Sequence, residues 1–114
     1  YLDQLTYLTK ILQQTVEKLQ SADNQSIIIL QSDTGPSVGF AGVTEKEYQK
    51  NRMSIFNAYY FPNNDFLYDD ITPVNSFRLF FDSYFQTDYG LLEDRVFFST
   101  PEKPYTLIEI TDFQ

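Results

Sequence analysis

The chain has no cysteine, no histidine and no tryptophan, and holds only 8 Lys+Arg against 16 Asp+Glu among its 114 residues. Each shortage excludes a class of chemistry. Without thiol or imidazole there is no disulfide framework, no Cys/His zinc site, no cysteine nucleophile and no Ser-His-Asp triad within these residues. A formal charge of -8 argues against nucleic acid as a partner, because affinity for a phosphate backbone comes from Lys and Arg displacing counterions. Long apolar runs are also missing. The longest, Ile27 to Leu30 and Ala58 to Phe61, fall far short of the roughly 20 residues a membrane helix needs, so no direct membrane insertion by this segment is expected.

What the chain does have is aromatic mass, 11 Phe and 9 Tyr, within a hydrophobic fraction of 42%. That is enough apolar material for a core, and the length suits residues 1–114 as a single domain or a domain-sized fragment. Leu2, Leu5, Leu8, Leu12, Val16 and Leu19, with Ile11 alongside, follow the spacing of an amphipathic helix. No Ser, Thr, Asp or Asn cap precedes it, which suggests a chain entered in mid-helix and so a fragment of something longer. Ser26 to Gln31 is a β-branched run without alternation, expected to be a strand buried on both faces of a parallel sheet. Ser32 to Asn51 is polar and carries Gly35, Pro36, Gly39 and Gly42, the composition of a long functional or mobile loop.

Met53 to Tyr60 is a second strand candidate. Thr72-Pro73 signals a helix start, with Thr as N-cap and Pro at the first helical position. Val74, Phe77, Phe80, Phe81, Tyr84 and Phe85 then form an aromatic face at helical spacing, expected in the core. Two short strands, Arg95 to Ser99 and Tyr105 to Ile110, close the order, in which Tyr59, Tyr60, Phe97 and Phe98 are expected to alternate between core and surface. The sum is an α/β fold, a mixed sheet packed by helices in three layers.

In open α/β sheets ligands collect beyond the carboxyl ends of strands. Asp33 stands there after the Ile27 to Leu30 run, by its spacing alone more often the start of an Asx turn that Gly35-Pro36 completes than a hard-cation ligand. A glycine beside it would let the backbone approach a metal or phosphate. Asp69-Asp70 and Glu93-Asp94 are paired carboxylates expected to be solvated or to cap amides, Asp69-Asp70 favouring the helix that starts at Thr72-Pro73. Arg78 is expected in an ion pair with a nearby carboxylate rather than on an anionic substrate. Asn24-Gln25-Ser26 matches a glycosylation sequon of low specificity.

Ile27-Ile28-Ile29-Leu30-Gln31-Ser32-Asp33-Thr34-Gly35-Pro36 resembles the metal-binding segment of sulfatase-like proteins in the alkaline phosphatase superfamily, where a hydrophobic strand ends in Ser-Asp-His-Gly. Asn57-Ala58-Tyr59-Tyr60-Phe61-Pro62, Ile71-Thr72-Pro73-Val74-Asn75-Ser76-Phe77-Arg78 and Leu91-Leu92-Glu93-Asp94-Arg95 resemble, in the same order, later stretches of a bacterial branch of that group. The resemblance implies the C-terminal portion of an alkaline-phosphatase/sulfatase-like three-layer fold, with the nucleophile and further metal ligands upstream. It implies Asp33 as a metal ligand, with Thr34 in place of the family histidine. A threonine hydroxyl is a weak neutral ligand, tolerable for Mg²⁺ or Ca²⁺ and poor for Zn²⁺.

The expected function is therefore a fragment of a metal-dependent sulfuric- or phosphoric-ester hydrolase, inactive alone and degenerate at Thr34. A divalent metal would belong to the parent protein, with none bound tightly by this chain alone. The expected partner is the remainder of the parent, which the resemblance implies to be membrane-anchored. The alternative is a non-enzymatic interaction module that uses its aromatic, acidic surface, with self-association through an unpaired strand edge.

Overall fold

The computed structural model describes residues 2–37, 41–62 and 66–111. It contains helices and strands, as the α/β reading expects, and among the described residues the strands form two separate two-stranded antiparallel sheets. The chain divides into two compact units, residues 1–30 with 57–65, and residues 31–56 with 66–114.

The first unit opens with α1 (Leu2–Ala22), whose apolar spacing is the one the sequence shows. None of its residues is buried. Thr6, Thr9, Thr15 and Ser21 each turn a hydroxyl back onto the carbonyl four residues earlier, at 2.7–2.9 Å. Such back-bonding satisfies the hydroxyl and slightly weakens the helix. After α1, Asp23 builds an Asx turn, its carboxylate accepting from the Gln25 amide at 2.9 Å and the Ser26 hydroxyl at 3.3 Å. The turn delivers the chain to β1 (Ile28–Gln31), which pairs with β2 (Asn57–Tyr60). The expectation of a strand buried on both faces is not met, since only Ile28 of β1 is buried. A two-stranded sheet has no layers to cover both faces. Phe61 is the other buried apolar residue among the described residues of this unit, with Tyr59 stacked beside it at 5.8 Å.

The second unit contains a helix where a loop was expected, α2 (Glu45–Met53). It starts with a capping box: the Thr44 hydroxyl accepts from the Glu47 amide, and the Glu47 carboxylate accepts from the Thr44 amide at 2.7 Å. That bond to the Thr44 amide, with a second from the Thr44 hydroxyl, holds the Glu47 carboxyl below the usual glutamate range. The strand expected from Met53 is accordingly shorter, because Met53 closes α2 and pairing begins at Asn57.

Helix α3 (Pro73–Phe85) starts at the expected Thr72-Pro73 signal. Its aromatic face is not the core that was expected. Val74, Phe77, Phe81 and Phe85 are exposed, and the buried side chains are Asn75 and Ser76. The aromatic rings pack mainly on one another, Phe80 against Phe81, Tyr84 and Phe85 at 5.2–5.7 Å. A hairpin follows, β3 (Phe97–Thr100) and β4 (Lys103–Glu109), antiparallel with Phe97 opposite Glu109 and Phe98 opposite Ile108. Phe98 meets Tyr48 of α2 edge to face at 6.4 Å, and Ile110 is the buried apolar residue among the described residues of this unit.

Candidate functional site

Asp33 lies just past the last residue of β1, where the sequence places it, and its carboxylate is exposed. The loop that carries it is fixed on both sides to the segment that ends α2. Before it, the Ser32 amide donates to the Phe56 carbonyl at 2.9 Å and the Ser32 hydroxyl accepts from the Phe56 amide at 2.8 Å. After it, the Gly35 amide donates to the Arg52 carbonyl at 2.7 Å, and the Arg52 guanidinium donates to the Gly35 carbonyl. Gly35 is buried at this crossing, and a β-carbon on it would lie 2.0 Å from the Asn51 carbonyl oxygen and 2.7 Å from that of Ser54. The close approach that Gly35 allows is therefore to α2, not to a metal or phosphate.

The chemistry the loop offers is narrow. Thr34 turns its hydroxyl to Asp33 Oδ1 at 3.5 Å, so one carboxylate and one neutral oxygen lie together. Hard cations take six to eight oxygens for Ca²⁺, or an octahedron for Mg²⁺. Among the described residues no group of three or more Asp and Glu converges to supply them.

Two further polar clusters lie in the second unit, and the first bears out the expectation that the Glu93-Asp94 pair caps an amide. Asp94 receives the amide of Thr72 at 2.8 Å, and also the hydroxyls of Thr72 and Tyr68. It is thus the cap of α3 supplied from a distant segment, since the Thr72 side chain makes no cap of its own. Asn75, fully buried, donates to the Leu92 carbonyl at 2.8 Å and the Tyr68 hydroxyl at 3.1 Å, and accepts from the Leu92 amide at 2.9 Å. Burial pushes the Asp94 carboxyl up, but bonds from the Thr72 hydroxyl, Tyr68 and the Thr72 amide outweigh it and hold the group below the usual aspartate range. The same contact with Asp94 raises the Tyr68 phenol. Of the two expected carboxylate pairs, then, Asp94 serves the α3 terminus, a task the sequence reading gave to Asp69 and Asp70.

The other cluster folds the chain back after α3. Asp82 accepts from the Tyr89 amide at 2.8 Å, the Thr87 hydroxyl at 2.7 Å and the Gly90 amide at 2.9 Å. Those bonds, the Tyr89 amide foremost, hold its carboxyl low, assisted by the charge of Arg78. Arg78 stands near enough to the Asp82 carboxylate for its charge to act there. Its guanidinium donates to the carbonyls of Gly90 and Tyr89 and covers the Tyr89 ring at 5.6 Å. Thr72, Asn75 and Arg78 all bind the segment from Tyr89 to Asp94, so two of the stretches that carry the resemblance are one structural assembly.

Compared with protein-family models, with characterised proteins and with solved structures, the chain matches none. No helix among the described residues is long and apolar enough to cross a membrane.

Proposed function

We propose that this chain is a part of a sulfatase- or phosphatase-like hydrolase that supplies one carboxylate, Asp33, to a metal site completed by other groups, and that it has no hydrolase activity alone. The observation that carries the reading is Asp33 itself: an exposed carboxylate at a strand end, on a loop pinned before it by Ser32 and after it by Gly35. A pinned loop with a free carboxylate suits a ligand waiting for partners, because a site needs its groups held within about 0.5 Å of their working geometry. Thr34 in place of the family histidine makes the completed site one for hard cations or a degenerate one. The alkaline-phosphatase-like sheet would then be completed only when the two small sheets join strands from elsewhere in the parent.

Three results are expected. Asp33→Ala should leave the thermal midpoint almost unchanged, within about 0.5 kcal/mol of stability, as for an exposed side chain away from structural features. Millimolar Mn²⁺ should broaden the amide resonances of residues 32–35 in the native chain and not in Asp33→Ala. Calorimetry with Zn²⁺ should show no tight site. Broadening centred on Asp69-Asp70 or Glu93 instead, or tight Asp33-dependent zinc binding by this chain alone, would contradict the proposal.

A second reading is favoured by a separate observation, the large apolar side chains left exposed. Leu2 is 73%, Phe85 63% and Tyr105 96% exposed. Faces of this kind mark protein contacts, and they suit either an interaction module or a piece that docks on its parent.

A further inference from the structure

We propose that α2 is the positioning element of Asp33 and Arg52 its positioning residue, because the loop of residues 32–35 is the C-terminal cap of α2 and orders together with it. The functional meaning rests on the reading of Asp33 as a metal ligand. The coupling itself stands on hydrogen bonds.

The last turn of a helix leaves its carbonyls without partners inside the helix. Ser54 serves the Lys50 carbonyl, its amide and hydroxyl both donating there at 3.0 and 2.9 Å. Had α2 run on, the Phe56 amide would donate to the Arg52 carbonyl four residues back. The structure divides that bond between two residues of the loop. The Ser32 hydroxyl accepts from the Phe56 amide at 2.8 Å, and the Gly35 amide donates to the Arg52 carbonyl at 2.7 Å. Asp33 and Thr34 are the residues between them, so the carboxylate is presented by the cap of a helix end. Arg52 closes the arrangement from the helix side, its guanidinium donating to the Gly35 carbonyl. A cation in the last turn also suits the helix dipole.

The length of α2 makes the coupling reach both ends. Nine residues, about 14 Å, are too few for a helix to stand unaided in water. The helix is held by the Thr44–Glu47 capping box at its start, by Tyr48 against Phe98, and by the loop at its end. Helix formation is cooperative, so loosening one end loosens the other. The capping box therefore acts on Asp33 through the helix. Among the described residues the hydrogen bonds of Thr44 itself run only to Glu47 and Tyr48.

Amide hydrogen exchange in the whole chain tests the coupling. Arg52→Ala should speed exchange at Gly35 about tenfold or more, the effect of a lost charge-assisted bond. Arg52→Lys keeps a charged donor and should restore most of the protection. Thr44→Ala should speed the same exchange several-fold, the effect of a lost N-cap, and it keeps the test open if Arg52→Ala fails to fold. The amides of Ser76 and Ile110, bonded elsewhere in the unit, should keep their native rates in all three variants. With Mn²⁺, broadening at residues 32–35 should weaken in Arg52→Ala and return in Arg52→Lys. If the native chain shows no Asp33-dependent broadening, the ligand reading fails, and the exchange rates alone decide the coupling. Gly35 exchange unaltered in both Arg52→Ala and Thr44→Ala overturns the proposal. So does equal acceleration at Ser76 and Ile110, which would mark a general loss of stability rather than the loss of a cap.

Discussion

Gly35→Ala should lower stability by about 3 kcal/mol or more, and the melting midpoint by 10 °C or more. The reason is space, not backbone freedom. The added β-carbon would stand 2.0 Å from one carbonyl oxygen of α2 and 2.7 Å from another. Both are backbone atoms, so no side chain can swing aside to relieve the overlap. To make room the loop must lift off α2, and that breaks the exchange of hydrogen bonds between Gly35 and Arg52. Gly42 is the informative control. It adopts a positive φ of 87° with nothing near its missing β-carbon, so Gly42→Ala should cost only the left-handed strain of about 1–2 kcal/mol. Urea denaturation of both variants measures the contrast. Equal costs would mean that Gly35 is not packed against α2. A destabilised Gly35→Ala should also lose any Mn²⁺ effect at Asp33, since the loop that presents the carboxylate would no longer be held.

The helices and strands that the sequence announces are those with a repeating apolar signal. α1 and α3 follow helical spacing, and the hairpin strands begin and end within two residues or so of the expected bounds. α2 was hidden because Glu45 to Arg52 carries almost no apolar stripe, and its helicity comes from its cap and its charges. Its one legible sign was Thr44 followed three residues later by Glu47, the capping-box spacing. Burial was a different matter. Periodicity says which face of α3 would be covered, not whether anything is present to cover it. Hence the aromatic face is correctly drawn but exposed, while Asn75 and Ser76 are buried. At the candidate site, the place of Asp33 at a strand end was legible. That Asp94 would cap an amide was expected, but which one was not, and the roles of Gly35 and Asp82 were not legible, because their partners are fixed by the path of the chain. Asp94 meets Thr72 across 22 positions of sequence, and no local pattern encodes such a meeting.

The Asp94 contact gives the second large effect, and its sign can be worked out. Asp94→Asn keeps the size of the side chain but removes the charge that receives the Thr72 amide, the Thr72 hydroxyl and the Tyr68 phenol. It should cost about 1–2 kcal/mol at neutral pH, the range for a lost helix cap together with weakened charge-assisted bonds. The native carboxyl is held below its unfolded value, so between the two values the unfolded chain binds more protons than the folded one. Stability from this group is complete above the unfolded value, near pH 4, and drains away as pH falls through the folded one. Asp82, Glu47 and Glu109 are shifted in the same direction, so the native chain should lose stability in acid through several groups at once. The difference between native and Asp94→Asn isolates the one. Melting curves for both should be separated by a constant interval from pH 7 to about pH 5 and should converge below about pH 4. A separation that persists undiminished at low pH would mean that the cap acts through shape and neutral hydrogen bonds, with no contribution from the charge of Asp94.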